Sequence, residues 1–422
     1  MAVQLIMMSP HTKHQGLFRA AILQSGPILS AFAHSDKHPA FYCRTFANAV
    51  GCDPSSSGPD LLACLQSLPV EELVRHVRLF DHEDQVMHNA PSPWKPIQDG
   101  LFLHEKDAFL PKDPLDLLEA GEFSDVPVIT GHTSDEGLYA VTEVLARNPK
   151  AADIIFQDWE NRKGPSYIFG REEDETDAAE VELAGKFLDR FLEGGRSREP
   201  LVLQNMFSHS VWTAASLRTA KLLARGKTAA TFQYHYTHPG RLSLADIFSS
   251  PLWKLILKVL AAKVNVDVFH NSWSAATHFD EIFLLFKGQE IPFLQRHSPE
   301  DRAVSEMLLR LWTSFAKTGV PEVPEGAATH AREWQPLQPN GDPVFLEIGT
   351  TGAQMRNYSA FAEVTEFFEQ VWSVVPPRLH LSRSRTWRQP ELYGEVPYRA
   401  LPSLPSSSPY MSSSASSISS EL

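Results

Sequence analysis

Val126-Pro127-Val128-Ile129-Thr130-Gly131-His132-Thr133-Ser134-Asp135-Glu136-Gly137 is the stretch on which the reading of this chain turns. Val126 to Thr130 is a short, β-branched, apolar run, as expected of a strand buried on both faces. A short polar loop follows and ends on Glu136 and a glycine. Three further runs read the same way: Ala20 to Gln24, Ala229 to Tyr236 and Val344 to Ile348. Between them lie longer segments with apolar residues three and four apart, at Ala40 to Val50, Ala178 to Leu192, Val211 to Ala224, Leu252 to Val264 and Asp301 to Thr318. Strands alternating with helices of this length predict an α/β architecture around a largely parallel sheet. Pro339-Asn340-Gly341-Asp342 marks a turn ahead of the last strand.

The 422 residues are 43% hydrophobic and 21% charged, which is the balance of a packed globular chain. At about 100 to 200 residues per domain, the length allows two or three units or one large α/β domain. With 38 Lys and Arg against 51 Asp and Glu, the net charge is −13. That sign disfavours nucleic acid and anionic membrane surfaces as partners. No run is long and apolar enough to span a membrane, because Pro251 to Phe269 carries Lys254, Lys258 and Lys263. Met1 to Pro10 has no basic leader or cleavage site and reads as the middle of a helix. Of the three cysteines, Cys52 and Cys64 bracket a short loop and Cys43 stands apart; the residues alone leave open a loop disulfide or three reduced thiols. The composition changes at Pro376. The last 22 residues hold 11 serines, and Pro376 to Leu422 has too few periodic apolar positions to offset the entropy of ordering, so it reads as a disordered tail.

Several site chemistries are excluded by spacing. His82-Glu83 with His88 separates its histidines by six positions, which puts them on different helical faces and outside zinc-site geometry. No Gly-x-Gly-x-x-Gly and no Gly-x-x-x-x-Gly-Lys occurs, so no phosphate cradle and no nucleotide cofactor is signalled. A second chemical segment remains: Trp273-Ser274-Ala275-Ala276-Thr277-His278-Phe279-Asp280-Glu281-Ile282-Phe283-Leu284-Leu285-Phe286. It presents His278 just before acidic residues and an apolar run. Open α/β sheets keep their sites in loops at the carboxyl ends of strands, and a carboxylate followed along the chain by a histidine matches the later part of the Ser…Asp/Glu…His order of hydrolases.

These segments resemble the carboxylesterase type-B family, which includes cholinesterases and the non-enzymatic neuroligin-like adhesion proteins. Ser9-Pro10 and Gly16 to Gly26 resemble the stretch after the family's nucleophile helix. Asp99-Gly100 with Phe109-Leu110-Pro111 and Val126-Pro127-Val128 resembles the lead into the acid loop, Ser134-Asp135-Glu136-Gly137. His278 with Asp280-Glu281-Ile282 resembles the histidine loop, and Leu311 to Gly319 the C-terminal helix with its exit. The resemblance implies an α/β-hydrolase fold over 1–375, Glu136 as the triad acid, His278 as the general base and Cys52–Cys64 as a disulfide. It also implies a small carboxylic ester as substrate, no cofactor, and an extracellular or secretory location; it gives no oligomeric state. Gln24-Ser25-Gly26 resembles a motif whose serine lies near the histidine. The alternative it carries is a cholinesterase-like adhesion module without chemistry.

The family's nucleophile sits in Gly-x-Ser-x-Gly, and these residues contain none. Aligned on Ser9-Pro10, the resemblance places that serine about four residues ahead of Met1, at the strand-to-helix turn. The expectation is therefore an N-terminally incomplete hydrolase domain, lacking its first strands and inactive as given. Ala20 to Gln24 is expected to show an unpaired edge and an exposed apolar face. Phe279 stands where many relatives carry glycine, which calls substrate size into question. Asn357-Tyr358-Ser359 is the one glycosylation sequon.

Overall fold

The structure, a computed structural model, describes residues 1–375 apart from 14, 31–32, 34–38, 77–94, 102, 105, 161–162, 170–176, 194–198, 227, 250–273, 287–297 and 325–332. The helix expected at Leu252 to Val264, the His82/His88 pair and the tail from Pro376 lie outside the described residues.

Five strands form one sheet in chain order: β1 (Ala21–Gln24), β2 (Val128–Thr133), β3 (Thr231–Tyr236), β4 (Val344–Gly349) and β5 (Gly352–Asn357). The first four are parallel, and β5 turns back antiparallel on β4. The helices used below are α1 (Ala2–Met8), α2 (Pro39–Ala49), α3 (Gly58–Ser67), α4 (Leu138–Arg147), α5 (Ala178–Leu192), α6 (Pro200–Phe207), α7 (Ala214–Gly226), α8 (Asp280–Leu285), α9 (Pro299–Thr318) and α10 (Ala362–Val374).

Strand alternation sends neighbouring residues to opposite layers. Leu23 and Val128 join Leu5, Met7 and Met8 of α1 and Leu223 of α7 in one core, while Ile129, Phe232 and Tyr234 pack with Leu308, Leu311 and Phe315 of α9 in another. Full burial of each such side chain is worth about 1.5 to 3 kcal/mol, so both faces of the sheet are held. α9 begins two residues earlier than its apolar pattern suggested, because Ser298 accepts from the Asp301 N–H, the Asp301 side chain accepts from the Ser298 N–H, and Pro299 fits the first turn. It stops at Gly319, whose φ of 79° closes the helix in the left-handed region.

Three sequence expectations need correction. β2 starts at Val128, after Pro127, and runs on through Gly131, His132 and Thr133, which the residue pattern had placed in a loop. Pairing to β3 out to Tyr236 extends the strand, and Gly131 lets it pass Tyr234, where a Cβ would come within 2.3 Å of the ring. The single helix expected over Val211 to Ala224 is two elements, since a π-helical turn over Ser208–Thr213 precedes α7. β1 is indeed bonded on one side only among the described residues, but Ala21 and Leu23 are buried rather than exposed, covered by α1. β5 carries no strand signal of its own: Gly352-Ala353-Gln354-Met355-Arg356-Asn357 has no β-branched or aromatic residue, and it pairs with β4 through the tight reversal after Gly349.

Cys52 and Cys64 form a disulfide with a Cα–Cα separation of 6.0 Å, joining the loop after α2 to α3, and Cys43 is free and exposed. Among the described residues no helix is long and apolar enough to cross a membrane.

Three histidines cluster where β2 and β3 meet the helical layer. His132 is 1% exposed, and among the described residues neither ring nitrogen has a hydrogen-bond partner. Its ring lies 5.0 Å from that of His235 and 5.7 Å from Phe361; His235 in turn lies 5.1 Å from Phe361 and 5.8 Å from Phe345. His209, in the π turn, packs on Phe191 at 5.4 Å. Burial, reinforced by the neighbouring histidines, holds His132 well below the usual imidazole range. Burial lowers His209 and His235 to about 4, assisted by the Arg190 charge at His209 and by His209 itself at His235.

Candidate active site

The acid loop at the carboxyl end of β2 and the histidine loop, in the long connection between β3 and β4, build the site. The acid loop leaves β2 at Thr133 and is tied to the histidine loop by a parallel bridge between Asp135 and Thr277. The Asp135 N–H donates to the Ala276 carbonyl at 2.9 Å, and the Tyr139 N–H donates to the Thr277 hydroxyl at 3.0 Å. Gly137 is needed because a Cβ there would sit 2.7 Å from the Gln204 carbonyl and 2.8 Å from the Ser208 nitrogen, in the wall of α6. Its N–H donates to the Ser208 hydroxyl at 2.9 Å. Asp280, also buried, fixes the other loop by accepting from the backbone N–H groups of Thr277 (2.9 Å) and Leu244 (2.8 Å).

The result is one close pair. Nδ1 of His278 donates to Oε2 of Glu136 at 2.6 Å, and Oε1 of Glu136 accepts the Thr133 N–H at 2.8 Å. Glu136 is 0% exposed, whereas His278 is 28% exposed. With Nδ1 carrying the proton toward the carboxylate, the neutral imidazole presents Nε2 as a free acceptor. Burial lowers the histidine's proton affinity, but the charge and hydrogen bond of Glu136, together with the charge of Glu281, outweigh it and leave it raised. Both sequence-predicted site residues are thus brought together.

His278, with Glu136 behind it, lines a cavity of about 330 Å³ walled also by Gln24, Ser25, Tyr139, Trp212, Phe279 and Glu281. Tyr139 stacks on the imidazole at 5.2 Å, and Trp212 lies 5.4 Å away. Glu281 is buried, and its Oε1 accepts from Gln24 Nε2 at 3.2 Å and the Tyr234 hydroxyl at 3.0 Å. Its Oε2 has no partner among the described residues, and neither does the buried Ser25 hydroxyl. Burial and the nearby Glu136 charge push the Glu281 carboxyl up.

The non-glycine residues with positive φ among those described are Ser25 (49°), Ser274 (50°) and Phe279 (78°), in or beside these loops. A left-handed backbone costs an L-residue roughly 1 to 2 kcal/mol, and such strain gathers at functional sites. Phe279 takes the conformation that a glycine would adopt freely, and its ring stands 45% exposed at the cavity's edge, 5.6 Å from Phe283.

A second buried carboxylate–imidazole pair shows what the site has in addition. Nε2 of His238 lies 2.8 Å from Asp301 Oδ1, but its Nδ1 is taken by Thr350 at 2.8 Å, so neither nitrogen is left for proton transfer. Asp301 also caps α9, which makes that pair a structural tie. The Asp99–Gly100 motif is likewise structural: Asp99 accepts the N–H groups of Phe109 (2.9 Å) and Leu110 (2.7 Å). Tyr139 and Trp212 were missed from sequence. Tyr139, two residues past Gly137, had a positional signal; Trp212 reaches the site from a π-helical turn that no periodicity announces.

A family described as "Carboxylesterase family" matches residues 1–366. Bile salt-activated lipase of Mus musculus is 25% identical over 385 residues, 88% of this chain and 54% of that protein. A carboxylic ester hydrolase of Bombus ignitus is 25% identical over 327 residues, 77% of this chain and 51% of that protein. Neuroligin-3 of Homo sapiens is 26% identical over 372 residues, 85% of this chain and 38% of that protein. The chain spans about half the length of the lipase and the hydrolase. The mostly parallel sheet between helical layers is the α/β-hydrolase fold, and the chain belongs to the carboxylesterase family.

Proposed function

We propose that Glu136 and His278 are the acid–base half of a carboxylic ester hydrolase site. The observation that carries this reading is the 2.6 Å contact between them, with the free edge of the imidazole on a cavity. In such chemistry Nε2 of His278 takes the proton of a serine hydroxyl as the oxygen attacks the ester carbonyl, then hands it to the departing alkoxide. Water repeats the sequence on the acyl-enzyme. Glu136 holds Nδ1–H in place and stabilises the imidazolium, while Tyr139 and Trp212 keep the ring from turning.

The nucleophile is the part these residues do not supply in its usual setting, since they contain no Gly-x-Ser-x-Gly. By themselves they should therefore give neither specific serine labelling by a fluorophosphonate probe nor turnover of a chromogenic short-chain ester. Labelling accompanied by turnover that His278→Ala abolishes would contradict this. Joined to a segment that provides the elbow, the chain should hydrolyse the ester, and His278→Ala should lower kcat by at least about 1,000-fold. An unchanged rate in that variant would remove His278 from the role.

A second reading, a cholinesterase-like adhesion module with a protein partner, is favoured by the likeness to neuroligin-3 and by the strained Phe279. On that reading His278→Ala leaves partner binding untouched. An extracellular or secretory setting fits both readings and is supported by the Cys52–Cys64 disulfide.

A further inference from the structure

We propose that Asn357 carries an N-linked oligosaccharide that guards the outer edge of the sheet. Asn357 is the last residue of β5, which pairs only with β4 among the described residues. It is exposed, and the chain turns from it directly into a short 3₁₀ helix, Tyr358–Phe361. Oδ1 of Asn357 accepts the Ser359 N–H at 3.1 Å and also the Ser359 hydroxyl. The backbone N–H can only donate, so it fixes which end of the carboxamide is oxygen. Nδ2, the atom a glycan would occupy, is left without a hydrogen bond among the described residues.

Tyr358 between them is buried, with its hydroxyl on Gln233. The turn is thus anchored through its middle residue while Asn357 and Ser359 face solvent. A glycan here displaces no packed side chain. The disulfide supplies the independent sign of an oxidising compartment, which is where this sequon would be read.

In the transfer, Nδ2 bonds to the anomeric carbon of a lipid-pyrophosphate-linked oligosaccharide. The anomeric C–O bond breaks with its electron pair going to the lipid pyrophosphate, and the amide proton passes to a base of the transferase. The consequence for the fold follows from the position. An edge strand offers unpaired N–H and C=O groups to other chains unless something bulky or charged blocks it. Arg356 and a glycan on Asn357 would block the end of β5.

The test is expression of the full chain behind a cleavable secretory leader in a eukaryotic cell, with oxidation of Cys52 and Cys64 confirming translocation. Peptide N-glycosidase should shift the protein to lower mass, and Asn357→Gln and Ser359→Ala should each abolish the shift while Ser359→Thr keeps it. Protein that has formed the disulfide but shows no shift would overturn the proposal. Enzymatic removal of the glycan under native conditions should raise the aggregation rate several-fold by light scattering; an unchanged rate would overturn the guarding role.

Discussion

Lowering the pH from 8 to 5 should remove about 3 kcal/mol of the stability that His209 and His235 contribute. The cause is the histidine cluster beneath Phe361. In the unfolded chain each imidazole takes a proton as the pH falls through about 6.5. In the native protein His209 and His235 stay neutral until about 4. Between those values the unfolded state binds more protons, so stability is fully present above the unfolded pKa and is lost on acidification. Linkage gives about 2 kcal/mol per group at pH 5. Both rings keep some contact with solvent, which trims the sum to about 3. His132 acts in the same direction, since burial holds it well below the usual imidazole range and neither nitrogen has a partner among the described residues. His278, Asp280 and Glu281 oppose it: the raised imidazole adds stability below its unfolded value, and the two buried carboxyls, both pushed up, shed a buried charge as the pH falls. The nearest cation on the packed helices is Arg190 of α5, which is paired with Glu363 of α10 at 2.6 Å. Urea titrations at the two pH values, compared between the protein and a His209→Gln, His235→Gln double variant, isolate this share. The same pH dependence in both proteins would mean that the cluster is protonated or hydrated in the native protein.

Glu136→Ala should destabilise the protein by about 3 kcal/mol. The carboxylate is fully buried and has two donors, so its removal strands the Thr133 N–H and the His278 Nδ1–H. Leaving buried donors unsatisfied costs roughly 1 to 3 kcal/mol each, and breaking a buried charge pair roughly 3 to 5. The partial exposure of His278 lets water take over one of the lost bonds, which favours the lower end. His278→Ala should be milder, because the imidazole is the more exposed partner. Chemical denaturation of both variants tests the order, and a Glu136→Ala loss under about 1 kcal/mol would mean that the loop does not depend on this carboxylate.

Four strands and the Glu136–His278 pairing were legible because each signal was local. A short apolar run such as Val128-Ile129-Thr130 has one good use in an α/β chain, and Glu136 and His278 were marked by flanking residues that the fold employs structurally. Gly137 permits close approach to α6, and Asp280 pins the histidine loop. What escaped depends on tertiary partners. β5 exists because β4 is beside it. His132 belongs to a strand because β3 continues past Tyr234, and its burial makes a polar residue look like a loop residue in sequence. Trp212 reaches the imidazole through an inserted helical residue, and the orphaned oxygens of Ser25 and Glu281 emerge only when three loops close on one cavity.

Control of the His278 proton by Glu136 is read out by NMR titration of the His278 ring in the native protein and in Glu136→Gln, which preserves side-chain volume while removing the charge. The apparent pKa should lie above 6.5 in the native protein and fall in the variant, where the Glu136 charge no longer offsets burial. A native value below 6.5, or the same value in both proteins, would contradict it.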